Sequence, residues 1–383
     1  MAMGVLTQSW LILELTDTGS GGSPFWVGAG AGIMGATTLL IAPIGGWLAD
    51  RFDRRSILIL LDFLTLVASI VLFALIAYDL VRMWHVGVLA VSRGIAMAWG
   101  MPARNALTFD IVGRDVLLNA TAANFTTQGL SRIIGPALLG IIIGSFGIEW
   151  CYLFMAITSF LSILCLLNIG VRNQDNIVNN NILSEIREAL NIAMKPGLVR
   201  SLLLMSPIIE IFGFSYQVML PVMAREVLQV GPEGLGLLGS SAGLGSLAGA
   251  ILVASFGNYQ KKGMLLILAA GGFGLFLALF ALSNILYVSA LFICLAGAMA
   301  TIYDVNMSTL LQSLSPDRTR GRIMGLLVLT YGISPLGGFQ AGIIASMASA
   351  PFAIFVGGAM LVLNSLRCRN LMRQIIEYEA ESN

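Results

Sequence analysis

The chain is a succession of apolar runs separated by short polar stretches. A transmembrane helix needs about 20 mainly apolar residues to cross the hydrocarbon core of a bilayer, and most of the runs reach roughly that length. The pattern therefore predicts an all-α membrane protein with twelve transmembrane helices. The runs fall at about 1–15, 25–49, 56–78, 85–107, 121–146, 149–169, 200–222, 233–256, 263–283, 286–312, 321–346 and 350–366.

The first run is short. It has about 13 apolar residues before Glu14 and Asp17, too few to cross about 30 Å of hydrocarbon. No cationic segment or small-residue cleavage site gives it the form of a signal peptide. We therefore expect the first helix to be truncated, either by a wrongly assigned initiator Met or by a real deletion.

Composition agrees with a membrane protein. The chain is 57% hydrophobic and only 11% charged, with a mean hydropathy of +0.88, whereas a soluble domain carries about 25% charged residues. Most of its surface must face lipid. The net charge of +1, with no basic stripe to neutralise phosphates, argues against a nucleic-acid partner.

Basic residues are distributed unequally between alternate connections. One side has Arg82 and Arg225 alone, and the positive-inside rule makes the other side cytoplasmic, together with the C-terminus. The sequence thus predicts a multi-pass protein of the cell inner membrane. The cytoplasmic set is Arg51, Arg54, Arg55, Arg104, Arg114, Arg172, Arg187, Lys195, Arg200, Lys261, Lys262, Arg318, Arg320, Arg322, Arg367, Arg369 and Arg373.

The two halves of the chain resemble each other. The loop at 50–56, between spans 2 and 3, has a counterpart at 257–263, between spans 8 and 9. Gly135-Pro136 in span 5 likewise corresponds to Ser334-Pro335 in span 11. A parallel repeat of six spans is typical of one large transporter architecture.

The longest connection separates these halves. It is Asn-rich at first, and then places Ile182, Ile186, Leu190 and Met194 at helical spacing before Pro196. We predict an amphipathic helix in a cytoplasmic linker at 171–199. The N-terminal half would then be 1–170, the C-terminal half 200–370 and a cytoplasmic tail 371–383.

The loop after span 2 carries the most specific motif. Gly46 to Arg55 reads G-W-L-A-D-R-F-D-R-R, which resembles the G-x-L-A-D-R-x-G-R-R loop of the major facilitator superfamily. The one departure is Asp53 in place of Gly. Supporting stretches are Arg93-Gly94 in span 4, Gly135-Pro136 with Gly140 in span 5, and Gly321-Arg322. The resemblance covers nearly the whole chain, and it is closest to the exporter branch of the enterobactin exporter and macrolide-efflux-like proteins.

The same loop is a candidate conformational latch, formed by Gly46, Asp50, Arg51, Arg54 and Arg55. Asp50 closes the C-terminal end of span 2, where the helix dipole alone would prefer a cation. Its carboxylate therefore needs a partner, either one of the loop arginines or the N-terminal end of span 11 near Gly321. A contact between spans 2 and 11 would bridge the halves and hold the cytoplasmic side shut. The alternative is a positive-inside anchor with an incidental acid.

Ionisable residues inside apolar spans are costly and point to function. The candidates for substrate or coupling contact are Arg93 in span 4, Arg132 in span 5, Glu210 in span 7 and Asp304 in span 10. An arginine can hold an acidic substrate group, and a carboxylate removed from water can carry a proton. Structural pairing is the alternative for each. It is the expected role of Asp62 in span 3, near the cytoplasmic end, with Arg93 or the loop as its partner.

Gly135, Pro136 and Gly140 form a partial copy of a motif. In the major facilitator superfamily, which this sequence resembles, a Gly-Pro motif in span 5 marks exporters that work as antiporters. Small residues let helices approach closely, and Pro136 is expected to kink the span. The glycine runs at 28–32 and 239–249 lack a P-loop lysine, so close helix packing explains them.

The remaining residue types exclude several chemistries. Four scattered cysteines and a single histidine, His85, give no metal-ligand or disulfide spacing, so we expect no metal and no cofactor. Several aromatic residues could line a cavity for an amphipathic ligand, or serve helix packing and interfacial anchoring. They are Trp99, Phe212, Phe214, Tyr216 and Tyr303.

The sequence therefore predicts a secondary transporter rather than an enzyme. It is expected to be a monomer that exports a small amphipathic molecule, drug-like or siderophore-like, in exchange for protons. The bilayer and the protons are its other expected partners. An importer of a small solute and a transport-inactive scaffold or sensor are the alternatives.

Overall fold

The computed structural model describes residues 2–17, 19, 22–113, 116–170, 197–255, 262–315 and 317–369. Side chains are described throughout these ranges except at 2, 43–51, 117, 118, 121, 122, 125, 317–319 and 322. The predicted amphipathic linker helix and the C-terminal tail lie outside the described residues.

The described residues form helices and contain no strand. Eleven spans are long and apolar enough to cross a membrane, and the shorter helix α1 precedes them, so the prediction of an all-α twelve-helix protein is confirmed. In chain order the helices are α1 Ala2–Thr16, α2 Pro24–Arg51, α3 Arg54–Ala77, α4 Met83–Val112, α5 Leu117–Phe146, α6 Ile148–Asn168, α7 Leu198–Val227, α8 Gly231–Ser255, α9 Lys262–Leu282, α10 Leu286–Leu314, α11 in two parts, Asp317–Tyr331 and Ser334–Met347, and α12 Ala350–Arg367.

Two helices are irregular. Helix α7 contains two π-helical segments, Ile209–Gly213 and Met223–Val227, on either side of a short α-helical stretch. Helix α11 is interrupted at Gly332 and Ile333, so its two parts are separate rods. Such widened or broken turns are common at functional positions.

Each half packs mainly upon itself, and a few helix pairs join the halves. Helices α2 and α4, and α3 and α6, pack together in the first half; α8 and α10, and α9 and α12, do so in the second. Between the halves, α2 packs on the second part of α11, α5 packs on α8, and α1 touches α7. Any site shared by the halves must lie along these pairs.

The contacts between halves concentrate at one end of the bundle. We call the ends of the helices joined by the Arg-rich connections the basic end, and the other the opposite end. A Cβ atom built on Gly28, near the start of α2, would lie 2.7 Å from the Gly342 Cα of α11. On Gly140, near the end of α5, it would lie 3.0 Å from the Gly236 Cα of α8. Both positions lie towards the opposite end, so the halves are in close contact there.

The first half of α5, towards the basic end, is much less covered. Its exposed side chains occupy nearly two full helical turns, so no neighbouring helix encloses it there. In the part of the chain that the structure describes, the bundle is therefore closed at the opposite end and open towards the basic end. These exposed residues are Thr126, Thr127, Gln128, Leu130, Ser131 and Arg132.

Candidate functional site

Two carboxylates face each other inside the second half. Glu210 lies in the first π segment of α7 and is only 3% exposed. Asp304 lies on α10, close enough for the two carboxyl groups to interact electrostatically. Two acids in such surroundings repel each other when both are charged.

Hydroxyl groups surround this acid pair. The Ser334 side chain interacts with the Glu210 carboxylate, and the hydroxyls of Ser206 and Thr330 are 2.8 Å apart. Tyr303, 1% exposed, interacts electrostatically with both acids. Within the described residues, Glu210 Oε1, Asp304 Oδ1 and the Tyr303 hydroxyl are buried without a hydrogen-bond partner. This spare capacity can accept a proton, a water molecule or a polar group of a ligand.

The backbone of α7 places Glu210 at this position. Pro207 lies inside the preceding α-helix Leu198–Ile208 and lacks the N–H that the helix ladder needs. The π segment begins two residues later, and its widened turn carries Glu210. At the other end of that turn, Gly213 packs against the Phe273 ring of α9, where a Cβ atom would come within 2.6 Å.

Arg132 brings a positive charge to the acids from the other half. Its charge interacts electrostatically with Asp304 and with Tyr216 of α7. The α5–α8 contact holds it there, because the Arg132 carbonyl oxygen lies 2.5 Å from a Cβ built on Gly243. The structure thus brings together three of the four predicted coupling residues, Arg132, Glu210 and Asp304, at the boundary between the halves.

Arg93 has different surroundings. Its guanidinium donates to the Gly4 carbonyl and, at 2.9 Å, to Gln8 Oε1, both on α1. It also contacts the Met155 sulfur of α6 at 3.8 Å. Arg93 therefore joins three helices of the first half, and its contacts are with those helices rather than with the acid pair. Asp62, which was expected to pair with Arg93 or the loop, instead accepts a hydrogen bond of 2.5 Å from Ser162.

The predicted latch residues that the structure describes also have partners in their own half. Arg54 donates twice to the Asp110 carboxylate, at 2.5 and 2.6 Å, and Arg55 donates to the Leu167 carbonyl at 2.7 Å. The side chains of Gly46, Asp50 and Arg51 lie outside the described set, so the contact between spans 2 and 11 stays a prediction.

Asp53, the departure from the loop pattern, has a clear local role. It is the N-cap of α3, and its carboxylate accepts from the Ser56 backbone N–H at 3.1 Å and from the Ser56 hydroxyl at 2.7 Å. Its φ of −57° needs no glycine. An N-cap aspartate satisfies a free N–H of the first helical turn and is worth about 1 kcal/mol.

The Gly-Pro motif of α5 lies in the contact between halves. A Cβ on Gly236 of α8 would lie 2.9 Å from the Pro136 carbonyl oxygen and 3.0 Å from the Gly140 Cα, and one on Gly239 only 2.6 Å from Pro136 Cβ. Gly135 instead faces Met3 of α1, at 3.4 Å. The glycine runs of α2 and α8 are confirmed as close-packing surfaces.

The fold and the site together define the class of this protein: a membrane transporter with a charged site at the boundary between two six-helix halves. The chain belongs to the family described as Transmembrane secretion effector, within the major facilitator superfamily, whose model matches residues 7–382.

Its relatives include exporters. The chain is 26% identical over 357 residues to the enterobactin exporter EntS of Salmonella typhi, covering 89% of this chain and 84% of that protein. It is 24% identical over 364 residues to EntS of Escherichia coli O9:H4 (strain HS), covering 91% and 85%.

Solved transporters have a similar fold. A peptide transporter POT in complex with alafosfalin superimposes with a TM-score of 0.73 at 13% identity, covering 98% of this chain and 92% of that one. The xylose transporter XylE from E. coli, in an inward open conformation, gives 0.69 at 14% identity, covering 96% and 91%.

These comparisons confirm several predictions. The resemblance to the exporter branch of the major facilitator superfamily is confirmed, and so is a secondary transporter rather than an enzyme. Multi-pass membrane insertion, a small-molecule substrate and an exporter family also follow.

Sequence reasoning missed the hydroxyl groups around the acids. Ser206 lies four residues before Glu210, on the same face of a helix, which is the one periodic signal available. Ser334 was noted only for its place in the internal repeat. Thr330 has no distinguishing sequence feature, since it meets the site only through the packing of α11.

Proposed function

We propose that this protein exports a small amphipathic molecule in exchange for protons, by alternating access between its two halves. The observation that carries the proposal is the acid pair of Glu210 and Asp304 with Arg132 beside it. One half supplies the acids and the other supplies the cation, so the movement of the halves changes the charge balance of the site.

The exchange follows from that charge balance. With Arg132 close to Asp304, one negative charge is compensated and the second acid is better neutral, so the site holds a proton. When the halves rearrange, Arg132 and the acids no longer keep the same distance, and the proton affinity of the pair changes. A substrate group that donates to Glu210 or Asp304 competes with the proton for the same carboxylates, so loading of substrate favours release of the proton.

The open basic end supports the direction of transport. By the positive-inside rule we propose that the basic end is cytoplasmic, that the C-terminus lies on that side and that the membrane is the inner membrane. A substrate from the cytoplasm then has access to the site, and the next rearrangement releases it outside. We propose that a monomer suffices, because one chain contains both halves. The amphipathic character of the substrate rests on the Tyr303 and Tyr216 rings beside the charges, and on the export of enterobactin by the EntS relatives.

Transport in proteoliposomes tests the coupling. The purified protein would be reconstituted inside out and assayed with a panel of siderophores and drugs, with and without an imposed proton gradient. Glu210→Gln is expected to abolish gradient-driven accumulation and to keep substrate exchange at equal pH on both sides. Glu233→Gln, at an exposed acid of α8, is the matched control.

The outcomes separate the roles of the two acids. If Glu210→Gln accumulates substrate normally under a gradient, the coupling role passes to Asp304, and the same assays on Asp304→Asn decide it. If both variants accumulate substrate normally, the acid pair does not couple transport to protons. Accumulation in the opposite direction in wild-type vesicles would identify an importer instead.

A further inference from the structure

A second group of charges joins the halves at the opposite end of the bundle. Arg225, in the second π segment of α7, makes an ion pair of 2.5 Å with Asp17, just after α1. The same guanidinium lies 5.9 Å from the centre of the Trp10 ring, within the range of a cation–π contact. Arg225, Asp17 and Trp10 belong neither to the acid pair nor to the loop motif.

Neighbouring residues reinforce this contact. The Trp10 indole N–H donates to Glu14 Oε1 at 2.6 Å, so the ring is held by its own helix. Glu226, next to Arg225, interacts electrostatically with the Gly22 backbone N–H, in the turn between α1 and α2. Two successive residues of α7 therefore bind the first half. The groups that face Arg225 are Asp17, Glu14, Glu226 and Trp10.

The π segment makes this double contact possible. In an α-helix successive side chains diverge by about 100°, so two neighbours seldom face the same partner. The wider π turn of Met223–Val227 reduces that divergence, and the Leu228 N–H bonds to the Met223 carbonyl at 2.8 Å to close it. Such segments are often found where a helix performs a function.

We propose that Arg225, with Asp17 and Trp10, forms a gate that holds the opposite end of the transporter closed. Opening that end requires α7 to part from α1, which breaks the ion pair and the cation–π contact together. Arg225 lies fifteen residues after Glu210 on α7, about 22 Å along a helix. One helix therefore carries both the site and the gate, so a movement of α7 at the site reaches the gate.

The gate rests on the alternating-access part of the proposed function and is independent of proton coupling and of the substrate. The test therefore uses distance measurement without either. Spin labels on Leu80→Cys, after α3, and Asn284→Cys, before α10, would report the separation of the halves at the opposite end, in a background with the four native cysteines replaced. Both positions are exposed.

In the wild type we expect a short distance to dominate. Arg225→Gln and Asp17→Asn should each raise the ratio of long to short distances by about two- to fivefold, the size expected for one partly exposed ion pair. The exchanged pair Asp17→Arg with Arg225→Asp should bring the distribution part of the way back to the wild type, because it restores the ion pair and not the cation–π contact with Trp10. Arg82→Gln, which changes an exposed arginine at the same end, should leave the distribution unchanged.

Two outcomes would overturn the gate. One is a wild-type distance distribution in both single variants, and the other is an exchanged pair whose distribution is no closer to the wild type than those of the single variants. If Arg225→Gln does not fold, Asp17→Asn carries the test alone, because Asp17 lies in an exposed turn. A loss of proton-driven transport in Glu210→Gln with no change in these distances would leave the gate standing, so the two proposals fail separately.

Discussion

The contact between α5 and α8 gives the sharpest prediction about the conformational equilibrium. We expect Gly140→Ala to favour opening at the end where the halves now meet. The new methyl group would lie 2.8 Å from the Pro232 carbonyl oxygen and 3.0 Å from the Gly236 Cα, whereas ordinary contact begins at 3.4 Å. Backbone atoms cannot rotate away, so α8 must withdraw from α5 by about 0.6 Å.

The distance that α8 withdraws determines how much packing free energy the closed state loses. A gap of about 0.5–1 Å loses a quarter to a half of the attraction of each atom pair, and over a few tens of pairs this is on the order of 1–2 kcal/mol. It falls within the range of about 1–3 kcal/mol found for overpacked sites. The ratio of open to closed molecules should therefore rise by about 5- to 30-fold.

The assay uses the reactivity of a buried position. Ser240 of α8 is buried against α5, and its hydroxyl donates to the Ile133 carbonyl at 2.8 Å. In a background without the native cysteines, Ser240→Cys should react with a membrane-impermeant maleimide only when the opposite end opens. The labelling rate should rise by the same factor in Gly140→Ala.

The control lies on the same helix. A Cβ on Gly129 would meet only Leu247 Cδ1, at 3.9 Å, an ordinary contact. Gly129→Ala therefore gains the same helix propensity, about 1 kcal/mol, without a clash. Equal labelling rates for Gly129→Ala and Gly140→Ala would refute the reasoning, because they would show that the Gly140 contact places no restraint on opening.

Further predictions concern the basic end. Arg54→Gln should lower the melting temperature in detergent, because it leaves the nearly buried Asp110 carboxylate without its cation. The loss in the free energy of unfolding is about 1–3 kcal/mol, discounted for the partly exposed arginine. A Tm as high as that of the Arg82→Gln control would contradict this prediction. Asp50→Asn should impair transport by about tenfold or more and leave membrane insertion intact, and wild-type turnover would reject the latch. A phosphatase fused after the C-terminal tail should be inactive. An active fusion would show that the topology is inverted or that the number of spans is odd.

The fold could be predicted because its signal is local. A run of apolar residues of sufficient length specifies a membrane helix wherever it occurs, and the same holds for an acid inside such a run. The sequence alone therefore indicates Glu210 and Asp304 as candidates for substrate or coupling contact. Their proximity could not be, since it depends on how α7, α10 and α11 pack.

The partners of Arg93 and Arg132 could not be predicted either, because they too depend on helix packing. Arg93 and Arg132 both interrupt apolar runs, and nothing in the sequence separates them. Packing alone gives Arg93 the Gly4 carbonyl as a partner and places Arg132 beside Asp304. Asp53 shows the converse. An Asp directly before a helical run is a readable helix-start signal, whereas a comparison with the loop pattern draws attention to the missing glycine instead.

No pattern in the amino-acid sequence predicts the two π segments of α7. Pro207 predicts a disturbance of the helix near Glu210, and yet an α-helical kink satisfies the sequence equally well. Near Arg225 even that hint is missing. The gate therefore depends on backbone geometry that residue types do not specify.

The glycine surface of α8 has a consequence for the speed of the transport cycle. Where α8 meets α5, at Gly236, Gly239 and Gly243, backbone atoms and few side chains form the contact. Closing an ordinary helix interface immobilises long side chains, each at an entropic cost of up to about 2 kcal/mol, whereas glycine has no rotamers to lose. The halves can therefore separate and rejoin without a search through side-chain conformations, and the barrier to rejoining is set by the movement of whole helices.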